Sequence, residues 1–147
     1  TIIRSPFFIL KKELIKVPLF GLFLKKMGSI AIVRSTTTKD NLGFLEEVAK
    51  KVNQNNRTLI IFPQGTRTPV DEKPTFKKGV GKIYETLKIK CLPIALRSGN
   101  VWPKHGFNKN IGNITISILE PIEPGIEKEI FVKTLEKKIY DEMESLK

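Results

Sequence analysis

The sequence predicts an α/β domain: a largely parallel central sheet flanked by helices. Short runs rich in apolar, mostly β-branched or aromatic residues (7–10, 30–33, 58–62, 91–96 and 115–119) alternate with segments whose apolar residues recur at helical spacing. Turn-forming residues separate them. The 147 residues are 40% apolar and include nine Phe, which is enough hydrophobic surface to offset the ordering entropy of one domain.

Each element has a local reason. Residues 7–10 follow Pro6 and read as a buried strand. Residues 19–27 read as a short helix, with Pro18 at its start and Gly28 past its end. The run 30–33 is a second strand, and the hydroxyls of Ser35, Thr36, Thr37 and Thr38 are suited to cap the helix that follows. That helix spans 40–52, with Leu42, Leu45, Ala49 and Val52 on one face and Glu46, Glu47, Lys50 and Lys51 on the rest. Residues 58–62 lack alternation, as a central strand covered on both faces would, and Pro63 ends them. A helix over 80–87, buried-looking strands over 91–96 and 115–119, and a helix over 127–146 complete the pattern. The last helix carries Phe131, Leu135, Ile139 and Met143 at intervals of four.

The net charge of +11 is unevenly spread: residues 1–34 carry +6 and residues 76–109 carry +7, while residues 110–147 carry −3. Two basic blocks favour an anionic partner, either phosphate on a small molecule, an anionic membrane surface or nucleic acid. No helix-turn-helix, zinc-finger or RNA-binding aromatic pattern accompanies the charge, so only weak, non-specific nucleic-acid binding is expected. The longest unbroken apolar stretch, residues 17–24, is too short to span a bilayer, which takes roughly 20 residues. Its apolar residues beside Lys25 and Lys26 are nonetheless the best candidate for touching a lipid surface, against the alternative of an ordinary buried helix. One cysteine and one histidine exclude an internal disulfide and a structural zinc site, and no metal is expected. Cys91 is expected to be a small buried hydrophobe with no catalytic role, His105 a surface residue, and Trp102 a core residue ahead of a lipid-interface one.

The chemistry concentrates where the strand 58–62 opens into Phe62-Pro63-Gln64-Gly65-Thr66-Arg67-Thr68, because α/β sheets place ligand sites at such strand ends. Gly65 lets backbone approach a ligand, Thr66 offers a hydroxyl, and Arg67 offers a planar fork matched to two phosphate or carboxylate oxygens. The residues by themselves describe an anion site, or else a turn with a solvated arginine.

The heptad resembles the Phe-Pro-Glu-Gly-Thr-Arg-Ser signature of the glycerolipid acyltransferases, the family of bacterial 1-acyl-glycerol-3-phosphate acyltransferases. Further blocks follow in that family's order: Ile9-Leu10-Lys11-Lys12-Glu13-Leu14 with Val17-Pro18-Leu19-Phe20-Gly21, then Gly28-Ser29-Ile30-Ala31-Ile32-Val33-Arg34, then Phe76-Lys77-Lys78-Gly79 and Cys91-Leu92-Pro93-Ile94-Ala95-Leu96. The resemblance implies a glycerol-3-phosphate acyltransferase-like fold. It also implies transfer of a fatty acyl group from acyl-CoA or acyl-carrier protein to lysophosphatidic acid, giving phosphatidic acid, with no cofactor. A histidine would act as general base and an aspartate five positions later would orient it. Residues 1–147 lack that pair, since the fifth residue after His105 is Asn110.

The chain starts at Thr1 in the middle of an apolar pattern, and the expectation is an acyltransferase domain over 1–147 lacking its N-terminal part, inactive by itself. By the resemblance, Arg67 binds the substrate phosphate, Lys11 (or Lys12 beside it) is a second phosphate ligand, and Arg34 supports substrate binding. Lys11 and Lys12 solvating a strand end is the alternative. Phe62, Pro63, Gln64, Gly65, Thr66 and Thr68 shape the loop. The implied location is the cytoplasmic face of a membrane, in bacteria the inner membrane, reached peripherally or through an N-terminal anchor. Gln64 departs from the family's Glu, keeping the size but losing the charge and adding two donors. That departure favours an alternative function, a non-catalytic anionic-lipid-binding relative on the same fold.

Overall fold

The computed structural model describes residues 5–32, 40–103 and 108–146, with the side chains of 40–42, 54 and 55 left aside. The chain divides into two compact units, Thr1–Ile61 and Phe62–Lys147.

In the first unit, strand β1 (Phe7–Lys11) leads through a 3-10 turn (Lys12–Lys16) and helix α1 (Phe20–Lys26) to β2 (Ile30–Ile32). Helix α2 (Asp40–Asn55) then connects to β3 (Leu59–Ile60). The sheet order is β2-β1-β3 and every pairing is parallel, with Ile9 opposite Ile30, Lys11 opposite Ile32, and Phe7 opposite Leu59. Parallel neighbours need crossovers, and the helical segments between the apolar runs supply them. The middle strand is therefore β1, and the expected central strand over 58–62 is corrected to a two-residue strand that pairs with β1. Phe7 explains the exchange: its ring is fully buried, and its amide donates to the Thr58 carbonyl at 3.0 Å. Helix α2 presents Val48 and Val52 as its buried residues, so the inward stripe centres on Val48, between the expected Leu45 and Ala49. The serine and threonine cluster at 35–38 lies outside the described residues.

The amino-terminal ends of all three strands are tied by one side chain. Arg57 donates from Nε to the Ser5 carbonyl at 3.0 Å, and from Nη2 to those of Pro6 at 3.3 Å and Met27 at 2.5 Å. Its guanidinium also lies 5.0 Å from the centre of the Phe7 ring. Lys51 donates to the Gly28 carbonyl at 2.7 Å and pairs with Glu47 at 3.1 Å.

Helix α1 starts after Pro18 and ends before Gly28, as the sequence predicts. Gly21 and Leu24 are its buried residues, and Gly21 faces the 3-10 turn so closely that a Cβ there would lie 1.9 Å from the Ile15 carbonyl oxygen. With that inner side so tightly seated, the remaining apolar residues point outward: Leu19 is 81% exposed, Leu22 66% and Phe23 57%.

The second unit comprises the segment 62–78, helix α3 (Gly79–Leu87), strands β4 (Ile94–Arg97) and β5 (Thr115–Ile118), and helix α4 (Lys128–Ser145). Strands β4 and β5 form an antiparallel pair, with Ile94 opposite Ile118 and Arg97 opposite Thr115, so only the first unit's sheet is parallel. The core consists of Phe76, Tyr84, Ala95, Ile122, Phe131, Leu135, Ile139 and Tyr140. The stripe foreseen on α4 is buried through Ile139, and Met143 packs against its edge. Tyr84 and Phe131 stack with centroids 3.7 Å apart.

The run 91–96 splits in two. Cys91 and Ile122 exchange backbone hydrogen bonds of 2.9 and 2.8 Å in an isolated bridge, and the regular strand resumes at Ile94. Pro93 between them has no N–H to contribute to a ladder. Ala95 is buried, whereas Ile94 and Leu96 alternate to the exposed face, so this strand is covered on one side. Trp102 is 57% exposed rather than in the core, with the Lys109 ammonium 4.5 Å from its ring centre.

Two outcomes follow from this packing. Gly21→Ala should lower stability by about 2 kcal/mol, because the new methyl meets a backbone oxygen that cannot move alone; a thermal unfolding curve measures it. Burial pushes the half-buried Cys91 thiol up to about 11. The protonated form is thus favoured by folding, so alkylation at pH 8 should run at least tenfold slower in the native protein than in denaturant and accelerate only as pH rises toward 11.

Candidate functional site

The loop foreseen as the anion site is built within the second unit. The Gly65 amide donates to the Phe62 carbonyl at 2.9 Å, closing a tight turn, and Gly65 has φ +70°, which a residue with a Cβ adopts at a cost. The Pro63 carbonyl accepts from the Lys77 amide at 2.9 Å, so the two ends of the segment meet. Arg67 and Thr66 are exposed beyond the turn, while Pro63, Gln64 and Thr68 are half-buried. The Thr66 hydroxyl donates to the Arg67 carbonyl at 3.4 Å. Among the described residues, no ion pair or hydrogen bond engages the Arg67 guanidinium, whose fork is open to solvent and hence to an anion.

Helix α4 holds this loop. Gln64 Nε2 donates to the Tyr140 hydroxyl oxygen at 3.0 Å, and that hydroxyl donates its proton to the Pro74 carbonyl at 2.6 Å. One turn earlier, Glu136 Oε2 accepts from the Phe76 amide at 2.6 Å. Lys73 forms an ion pair with Glu144 and lies 5.8 Å from the centre of the Tyr140 ring. Burial raises the Tyr140 hydroxyl above its ordinary range, and Glu136 adds to this against the lowering influence of Gln64 and Lys73. The hydroxyl is therefore a neutral relay at physiological pH.

In the first unit, Lys11 is the last residue of β1 and Lys12 opens the 3-10 turn; both side chains are exposed at the carboxyl end of the middle strand. Parallel pairing puts the carboxyl ends of all three strands on that edge, where open α/β sheets bind ligands. Arg34 and His105 lie outside the described residues. The loop residues 62–68 are thus gathered in one turn, and Lys11 stands at a strand end of the other unit.

Tyr140, Glu136 and Pro74 were not foreseen. The one available signal was the four-residue spacing of Glu136 and Tyr140, which puts a carboxylate and a phenol on one helix face. Among the described residues, no helix is long and apolar enough to cross a membrane.

Relatives agree with this architecture. A protein-family model described as Acyltransferase matches residues 2–97. The chain is 36% identical over 110 residues to a 1-acyl-sn-glycerol-3-phosphate acyltransferase of Pseudomonas aeruginosa, covering 75% of this chain and 42% of that protein. It is 33% identical over 116 residues to the protein of the same name from Cocos nucifera, covering 78% and 37%. The crystal structure of the 1-acyl-sn-glycerophosphate (LPA) acyltransferase PlsC from Thermotoga maritima superposes with a TM-score of 0.76 at 25% identity, over 97% of this chain and 57% of that one. The chain thus spans about 42% of the length of the Pseudomonas relative. With the family model spanning most of the chain and the loop lying within its match, the chain belongs to the acyltransferase family.

Proposed function

We propose that this chain is part of an acyltransferase of phospholipid synthesis, which moves a fatty acyl group from acyl-CoA or acyl-carrier protein to 1-acyl-glycerol-3-phosphate. The observation that carries the reading is the unengaged Arg67 fork on a turn braced from α4, in a chain whose relatives bear that activity in their names. A guanidinium can donate two parallel charge-assisted hydrogen bonds to a phosphate dianion, which fixes the acceptor's orientation as well as its position. Lys11 is the second phosphate ligand and Arg34 a supporting cation. In the reaction, the acceptor's free hydroxyl oxygen forms a bond to the thioester carbonyl carbon while the carbon–sulfur bond breaks. The hydroxyl proton passes to a general base and then to the departing thiolate. Residues 1–147 contain no histidine with an aspartate five positions on, so this domain supplies the phosphate clamp and the protein extended upstream of Thr1 supplies the base.

The test is acyl transfer by such an extended protein, with residues 1–147 expected to be inactive alone. Arg67→Ala should raise the KM for the phosphate-bearing acceptor by roughly 10- to 100-fold, the worth of a charged hydrogen-bonded pair, and leave the KM for the acyl donor within about twofold. Equal effects on both substrates would remove Arg67 from the phosphate site. Gln64 in place of the acid favours a second reading, a non-catalytic binder of anionic lipid; tight vesicle binding without turnover by the extended protein would establish it.

The surface around α1 fits a lipid interface. Leu19, Phe20, Leu22 and Phe23 are exposed beside Lys25 and Lys26, and the 3-10 turn against which Gly21 packs carries Lys12 and Lys16. An apolar face rimmed by ammonium groups is attracted by acyl chains and anionic headgroups together, as cytoplasmic leaflets provide. Leu22→Glu with Phe23→Glu should cut co-sedimentation with phosphatidylglycerol vesicles at least tenfold, whereas raising salt should weaken the unaltered protein's binding only in part. Unchanged sedimentation of the double variant would exclude α1 as the contact.

A further inference from the structure

The Tyr140 hydroxyl has a fixed hydrogen-bonding sense. Its neighbour at 2.6 Å is the Pro74 carbonyl, which can only accept, so the hydroxyl proton is committed there. What remains on the oxygen is a lone pair, and it faces position 64 at 3.0 Å. A donor is required at that place. The Gln64 amide is one, and a carboxylate of the same length is not. The phenol cannot escape the conflict by ionising, because burial holds its proton on. Nor can the ring swing away, since it is buried in the core and packs at 5.3 Å against Phe76, whose own amide is tied to Glu136.

We propose that Gln64 is a positioning residue matched to Tyr140: its amide reads the fixed sense of the Tyr140–Pro74 hydrogen bond and so locks the turn that presents Arg67. On this account the departure from the family's acid is a compensated exchange between positions 64 and 140, not a loss of function. The inference rests on the reading of Arg67 as the phosphate ligand, which lies three residues beyond Gln64.

A glutamate at 64 has two outcomes. Its oxygen faces the phenol's lone pair and is repelled, or it captures the phenol's proton and leaves the Pro74 carbonyl without its partner; either displaces the turn. The test is a double-variant cycle on the extended protein, with Gln64→Glu, Tyr140→Phe and both together, each assayed for acceptor KM and kcat. Gln64→Glu should raise acceptor KM about tenfold with kcat within about twofold. In the Tyr140→Phe background the same exchange should change KM by less than about twofold, since no lone pair remains to oppose the acid. Equal penalties in both backgrounds, or a loss confined to kcat, would overturn the proposal. Gln64→Met, which lacks the donor without adding charge, should fall between wild type and Gln64→Glu, and stands in should the acid prevent folding.

A second measurement does not depend on turnover. With glutamine side chains labelled with nitrogen-15, the amide signal absent from Gln64→Met should exchange its protons at least tenfold faster in Tyr140→Phe; an unchanged rate overturns the pairing. A wild-type protein without acyl transfer would defeat the functional reading, and the exchange rate would still decide whether Gln64 and Tyr140 are coupled.

Discussion

Residues 62–78 run without helix or strand, so their backbone and side-chain polar groups must find partners elsewhere, and helix α4 provides them. Tyr140 serves Pro74 and Gln64, Glu136 serves the Phe76 amide, and the loop's two ends close on each other between Pro63 and Lys77. The arrangement depends on α4 being anchored first, which Phe131, Leu135 and Ile139 accomplish through the core. The apolar stripe and the polar residues beside it therefore act in sequence: burial fixes the helix, and the helix fixes a segment that has no regular structure of its own. A site on such a segment can leave one arginine unengaged, because its rigidity comes from other residues.

The elements legible in the sequence were those whose signal is local. Proline before and glycine after α1, the four-residue spacing along α4 and the glycine-bearing turn at 62–65 each depend on neighbours within a few positions. Misreadings arose where the deciding contact is distant. Residues 58–62 have the composition of a central strand, but Phe7, more than 50 positions earlier, takes the middle of the sheet. Residues 91–96 look fully buried in sequence, and antiparallel pairing with β5 leaves one face open. Trp102 has the apolar ring of a core residue, yet its described partner is the ammonium of Lys109.

The candidate site divides along the same line. Gly65 and Arg67 are visible because a ligand-facing loop needs those residue types at those positions. Tyr140 was invisible because its partners lie 66 and 76 residues away, and one of them is a carbonyl that any residue could supply. Gln64 was noticed only as a departure from a pattern. Its meaning depends on the hydrogen-bond sense of a residue on another element, which no reading of the heptad alone could provide.

Arg57 bears on how the protein is made. Its three carbonyl partners precede it by 52, 51 and 30 positions, so the side chain that ties the strand ends together is among the last parts of the first unit to be synthesised. During elongation β1 can meet β2 early, but the clasp and β3 arrive on the order of a few seconds later. For that interval the apolar residues of β1 have one flank unpaired, a state in which a nascent chain is open to chaperones or to another strand. Translation speed across the α2 codons should thus influence the yield of folded protein more than speed through later segments, since α2 is what separates β1 from its clasp.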